Sequence, residues 1–504
     1  MAFPVLSVIV FTPLAVALII LVMPAQKKNE VRGIALAAAI IALLLSLWVY
    51  VQYLTQHMTG YQFVESYDWL PALGISLKFG VDGMSAPLVL LTGVVMFTGV
   101  LISWGDSDPH VMAGIQDRPR EFFAFLFILA SGVFGVFTSL DLFMLFFFYE
   151  IAVFPMYLLI VIWGWVQTRE YAAMKLTLYL FIGSVVALVG ALAMYWVAGQ
   201  NTGVYSFDML QLEKASFSAS FQNLWFLPVF FGFAVLGGIW PFHNWSPDGH
   251  VAAPTAVSMF HAGVLMKLGA FAALRVGIML LPEGAKHWSW LVMLCAGVAV
   301  VYGAFIAFVQ TDFKYMVGFS SVSHMGLVML GFSTLNRNGL TGAGVQMFSH
   351  GVMTALFFAV VGMIYDRAHT REIPELGGMN KVMPFAAIGF IIGGLVSMGM
   401  PGFSGFIAEF PIFLGVWGSQ WLVAVIASIS IIITAAYIMR NIRQVFFAKM
   451  PEKFEGHITG ITVLDKIAIT TLCAFMVGIG LFPVLIVPMV QTGVDNILHL
   501  LGGA

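Results

Sequence analysis

FFGFAVLGGIWPFHNWSPDGHVAAPTAVSMFHAGVLMKLGAFAALR, residues 230–275, decides the fold. The stretch is too apolar for a water-facing surface and too interrupted for a plain membrane helix. Gly237 and Gly238 loosen the turn ahead of Pro241, and proline removes a helix hydrogen bond. Beyond the break, an apolar run carries His261 and, at its centre, Lys267. A cation there costs at least ~2.5–3.5 kcal/mol, so Lys267 needs a reason to be present. GGLVSMGMPGFSGFIAEFPIFLG, residues 393–415, repeats the pattern: Pro401, Gly402 and Gly405 interrupt it, and Glu409 follows. Non-helical backbone at membrane depth is tolerated only where it is buried in protein or lines water. Two interrupted spans at matching positions are the sequence signature of a transport pathway.

The composition agrees. Of 504 residues, 9% are charged and 61% hydrophobic, with a mean hydropathy of +0.97. So few charges cannot clothe a soluble surface of this size, and an ordinary soluble domain has about 25%. The apolar runs are continuous and about 20 residues long, the length of a membrane helix rather than of a barrel strand. A net charge of −2 gives nucleic-acid binding no electrostatic support. Cys295 and Cys473 lie singly in apolar runs, so neither a disulfide framework nor a cysteine metal site is expected.

The fold expected is an all-α polytopic membrane protein of fourteen spans, a single integral unit over 1–504 with only loop-sized polar stretches around 55–80, 199–221 and 366–383. Met1–Met23 lacks a basic start and reads as the first span rather than a leader. Pro241 and Pro401 lie 160 residues and five spans apart. That spacing predicts two five-helix repeats, 121–276 and 288–447, flanked by three spans in 1–120 and one in 463–504. Five is odd, so the second copy is inverted, the plan of secondary transporters. With Met1 outside, sixteen Lys and Arg fall at inner loops and helix ends and five at outer ones. This bias sets the orientation, with both termini outside.

Glu150, Lys267 and Glu409 then lie within spans, as do His261, His324 and His350. Asp82 and Asp141, at span starts, read as N-cap carboxylates. Each histidine alone is equally well a structural side chain bonded to a carbonyl, and Glu150 and Lys267 could be a structural ion pair. Taken together, Glu, Lys and His all exchange protons, and burial moves Glu and Lys toward neutrality where His already lies. The set reads as a proton relay.

PFHNWSPDGHVAAPTAVSMFHAGVLMKLGAFAALR, QTDFKYMVGFSSVSHMG and the run from Phe348 to the YDRAHTREIPELGGM segment resemble the antiporter-like subunits of respiratory complex I, the proton-pumping NADH:quinone oxidoreductase. The likeness covers spans three to thirteen. Glu409 and the HTRE of His369–Glu372 make it most similar to the M-type subunits. The resemblance implies fourteen helices, inverted repeats and breaks at Gly238/Pro241 and Pro401/Gly402. It implies that Glu150 modulates proton uptake, that Lys267 links two half-channels, that His324 and His350 relay, and that Glu409 serves the exit side. It implies FMN, iron–sulfur clusters and quinone in partner subunits and none in this chain. The partners implied are L- and N-like antiporter subunits and small membrane subunits, in the bilayer of an energy-transducing membrane, expected to be the bacterial inner membrane. One departure stands out. The family's helix-seven lysine, five residues before the proline, is Leu236 here, so Glu150 lacks its expected partner and His261 is the candidate replacement. Two rival readings stand beside it: a subunit of a cation/proton antiporter or membrane-bound hydrogenase, which shares the fold and most intramembrane residues, and a haem carrier using His261, His324 and His350 as ligands.

Overall fold

The computed structural model describes residues 3–104, 115 and 117–502 and is mostly helical. In chain order the elements are α1 (Val5–Val22), α2 (Lys28–Thr55), β1 (Gln62–Leu70), β2 (Ile75–Val81), α3 (Ser85–Ile102), α4 (Pro119–Thr138), α5 (Leu142–Trp163) and α6 (Arg169–Thr202). There follow α7 (Ala219–Ala234), α8 (Trp245–Ala252), α9 (Thr255–Ile278), α10 (Pro282–Val309), α11 (Phe313–Ser333) and α12 (Arg337–Ala368). The last four are α13 (Pro384–Ser397), α14 (Ser404–Asn441), α15 (Val463–Leu481) and α16 (Val487–Leu500). Among the described residues, twelve helices are long and apolar enough to cross a membrane. Met1 and Ala504, which the charge pattern assigns to one side, lie outside the described residues.

Two helices form the centre. The apolar windows of α9 and α12 are entirely buried, whereas that of α6 is 39% buried. A helix apolar on all sides must be either a core helix or one whose outer face meets lipid or another protein. Here α9 and α12 are of the first kind and α6 of the second. Alpha-helix pairs α4 with α5, α10 with α11 and α12 with α14 pack along their lengths around this centre.

Both expected breaks are present. Helix α7 stops at Ala234 and α8 starts at Trp245; between them Gly238 takes φ +74°, a left-handed conformation that a side chain disfavours. The Trp245 indole closes the break by donating to the Val235 carbonyl at 3.0 Å. Helix α13 stops at Ser397 and α14 starts at Ser404, with Gly402 at φ +92°. The expected caps also form. Asp141 accepts from the Met144 N–H at 3.1 Å, and Asp82 from the N–H groups of Met84 and Ser85 at 3.1 and 3.0 Å.

Two expectations need correction. The fold is not purely α: residues read as a polar loop at 55–80 form the antiparallel hairpin β1–β2. Strand β1 is mostly exposed and β2 is buried or half-buried throughout, so neither shows a clean hydrophobic alternation. The single span expected within 463–504 is two helices, because α15 ends at Leu481, Pro483 opens a tight turn and α16 follows separately. Glu150 lies within its span as expected, midway along α5, on the exposed face with Phe147 and Phe154. A run apolar on every side leaves the facing of its one charged residue undetermined.

Candidate functional site

Lys267 sits in the middle of α9 and is completely buried. The turn before it, His261–Leu265, is a π-helix, a local widening that often marks functional sites. The lysine amine donates back to the Ala262 carbonyl and lies 2.8 Å from His350 Nδ1 on α12. His350 stacks against His324 of α11, with ring centres 5.3 Å apart. His324 Nδ1 is 3.1 Å from Glu409 Oε1 on α14, and its Nε2 is 3.0 Å from the Ser397 hydroxyl. Gln346 Nε2 lies 3.2 Å from both His324 Nδ1 and Glu409 Oε1.

Four helices therefore bring Lys267, His350, His324 and Glu409 into one continuous line. Buried polar groups are tolerable only when hydrogen-bonded, and on the Glu409 side His324, Glu409 and the Gln346 amide nitrogen have partners, while Gln346 Oε1 has none among the described residues. The second break supplies the means: Ser397 ends α13, and Glu409 lies in the opening turns of α14.

The side of the first break is different. His261 is buried; its ring lies 3.9 Å from that of His250 and stacks on Trp245 at 5.1 Å. Among the described residues, neither nitrogen of His261 has a hydrogen-bond partner, nor has His250 Nδ1 or His350 Nε2. His250 Nε2 is 3.1 Å from the Ser246 hydroxyl. Glu150 is not brought to the line. Its neighbouring hydrogen-bonding group is the Ser184 hydroxyl of α6, and Leu236 is buried as a plain hydrocarbon.

Helix α8, which carries Ser246 and His250, is too short to hold its own position. Its C-terminal carbonyls are gripped instead. Arg371 donates to Val251 at 3.0 Å, Lys314 to Ala253 at 2.8 Å and the Trp165 N–H to Ala252 at 2.8 Å. Cations suit the negative end of a helix dipole. Asp248 on the same helix pairs with Lys175 at 2.6 Å and accepts from the Tyr315 hydroxyl at 2.9 Å. The HTRE segment thus acts through Arg371, which also stacks on Trp165 at 4.2 Å and pairs with Asp312 at 3.2 Å.

Reading the sequence missed Gln346, Ser397, Ser246 and His250 as members of the site. Only His250 had a visible signal, its place in the quoted stretch close to the first break. Gln346 and Ser397 carry no charge and stand out only once the helices are packed.

Comparison with known proteins fits this geometry. The family described as NADH:quinone oxidoreductase/Mrp antiporter, TM, matches residues 139–434, more than half of the chain. The chain is 36% identical over 506 residues to NADH-quinone oxidoreductase subunit M of Rhodobacter capsulatus, covering 98% of this chain and 96% of that one. It is 32% identical to subunit M of Rickettsia bellii, with 98% of each covered. A chain of respiratory complex I from Thermus thermophilus with bound NADH superposes with a TM-score of 0.88 at 25% identity, over 99% of this chain and 100% of that one. A chain of the Mrp complex from Dietzia shares the fold, with a TM-score of 0.87 at 19% identity over the full length of both.

Proposed function

We propose that this chain, which belongs to the NADH:quinone oxidoreductase/Mrp antiporter transmembrane family alongside subunit M of NADH-quinone oxidoreductase, moves protons across the membrane through its buried Lys267–His350–His324–Glu409 line. The carrying observation is continuity. Lys267 contacts His350 at 2.8 Å, and His324 contacts Glu409 at 3.1 Å, with the two imidazoles stacked between. Every member can gain or lose a proton. Moving one along the line changes the charge beside the next site and so its proton affinity.

The chain works beside other membrane subunits. In our reading these are L- and N-like antiporter subunits and small membrane subunits, and FMN, iron–sulfur clusters and quinone belong to partner subunits that carry the electrons. This chain then takes part in an oxidoreductase without a redox site of its own. Its membrane is the bacterial inner membrane, with the basic-rich ends inside and both termini outside. We read the helices as fourteen spans in two inverted repeats, 121–276 and 288–447, after three spans in 1–120 and before 463–504. Two features support that number. Helices α7 and α8 together make one interrupted span, and the non-helical backbone at Gln420 divides α14 into the end of one span and the start of the next. His261 joins the relay from the first break, and Glu150 tunes proton uptake from the outward face of α5.

The test is Lys267→Ala and Glu150→Gln in the intact complex, reconstituted in sealed vesicles. Electron transfer and proton translocation are expected to fall together while the complex still assembles. Translocation that survives both substitutions sinks the relay.

A further inference from the structure

The half of α14 beyond Gln420 carries a polar stripe that the relay does not use. Thr434, Tyr437 and Asn441 stand at i, i+3 and i+7, so they share one helix face over about 10 Å at 1.5 Å per residue. All three are buried. The stripe starts beside the line, where His324 Nε2 lies 3.0 Å from the Ser397 hydroxyl. Ser397 and Thr434 are hydrogen-bonding neighbours of the Tyr437 hydroxyl, which donates to Ser320 of α11 at 2.8 Å. Ser320 stands one turn before His324 on that helix.

The stripe ends at the basic end of the helix, beside Arg440 and Arg443. One turn past Tyr437, Asn441 is completely buried, and neither its carbonyl oxygen nor its amide nitrogen has a partner among the described residues. An amide buried without partners is costly, and ordered water is what satisfies such a group. Helix α14 then passes into a π-helical turn, Ile442–Phe447, a widening that often marks functional sites. In that turn Gln444 is half-buried and lines an open pocket of about 350 Å³ with Arg440, Gln310 and Thr311.

We propose that water held at Asn441 joins this pocket to Tyr437, making the stripe a proton entry from the basic side to the Lys267–His350–His324–Glu409 line. This rests on the relay reading above. A proton from the water passes to the Tyr437 oxygen as that hydroxyl turns from Ser320 to Ser397 and gives up its own proton there. Ser397 in turn gives its own proton to His324 Nε2. The neutral imidazole, with its hydrogen on Nδ1 toward Glu409 Oε1, becomes an imidazolium. Both hydroxyls are left whole, and one proton has entered. Asn441 does not titrate; its carbonyl accepts from the water and its amide donates to it. The stripe is the mouth of the line and no way round it. His350 stands between Lys267 and His324, so the charge at Lys267 governs, through His350, whether His324 takes the proton.

The experiment uses the assembled complex in sealed vesicles, with Tyr437→Phe, Asn441→Leu and Lys267→Ala compared with the unaltered complex. Tyr437→Phe keeps the ring and removes the hydroxyl; Asn441→Leu keeps a side chain of similar size and removes the amide. Each is expected to lower the protons translocated per electron severalfold while the complex still assembles. Radiolytic footprinting, in which bound water oxidises the side chains beside it, is expected to label Tyr437 in the unaltered complex. That label should be lost in Asn441→Leu, whereas an asparagine with a merely structural role would leave it unchanged. Normal translocation in either variant overturns the entry, as does a Tyr437 label that is absent from the unaltered complex or unchanged in Asn441→Leu. With Lys267→Ala inactive, such a result removes the entry and leaves the relay; with Lys267→Ala translocating normally, the relay reading fails with it.

Discussion

The two helix breaks use the same backbone device and load it differently. At the second, between α13 and α14, Glu409 is bonded to His324 and Gln346, and His324 is bonded to Ser397. At the first, between α7 and α8, His261 has neither nitrogen paired among the described residues, His250 is half paired, the expected cation is Leu236, and Glu150 faces outward. A break opens room in the membrane without deciding what fills it. The filled break is a hydrogen-bonded polar network, whereas at the other His261 is held by packing against Trp245 and the His250 ring. Removing one partner of a bonded pair strands the other, whereas a buried ring without a partner has no bond to lose but takes a charge only at a desolvation cost.

Substitutions on either side of Lys267 can break or sharpen this contrast. The largest effect is expected from Lys267→Ala, which cuts the line between the two breaks. Translocation should drop on the order of 10²-fold, the scale of losing a positioned proton carrier, as read by dye quenching in vesicles. Glu409→Ala should come next. It strands His324 Nδ1 and Gln346 without their acceptor, costing about 1–3 kcal/mol. The thermal midpoint of the purified complex should fall more than for Glu409→Gln, and equal midpoints would mean that the network is not holding the second break.

Leu236→Lys tests the first break from the other side. A buried cation with no partner costs at least ~2.5–3.5 kcal/mol, so assembled complex should decrease. Normal assembly with faster translocation would show that the first break lacks only its lysine. His261→Ala removes a buried ring that makes no hydrogen bond among the described residues, so stability should fall by about 2 kcal/mol, from the lost ring stack and the cavity left behind. Translocation should still fall severalfold; if it is untouched, His261 carries no protons. The smallest effect is expected far from both breaks. The Lys453 ammonium, 3.0 Å away, holds the fully exposed Glu375 carboxyl below its usual range. A depressed folded value stabilises above the ordinary glutamate range and is lost as pH falls through the folded value. Glu375→Gln should therefore leave neutral-pH melting nearly unchanged and flatten only its acid limb.

Much of this architecture was legible because the membrane enforces strong rules. Helix length, Pro241 and Pro401, and the rarity of charge marked the breaks and picked out Lys267 and Glu409. What stayed hidden had weak local signals. In the β1–β2 hairpin, β1 is mostly exposed and β2 mostly covered, so neither strand shows the alternation that marks a half-buried strand. Gln346 and Ser397 are uncharged. Arg275 read as an outer loop cation and Asp82 as a cap; Asp82 is one, but that gives no hint that the two meet across 193 residues.

By itself, the sequence determined that the chain crosses the membrane repeatedly, where two of its helices break, and which few residues bring charge into the apolar interior. Each follows from one-dimensional quantities: run length, proline position and hydropathy. Only the tertiary structure decided which of those residues meet. An apolar helix has no polar face to fix its rotation, so neighbouring helices set it, turning Lys267, His350, His324 and Glu409 inward to one line and Glu150 outward.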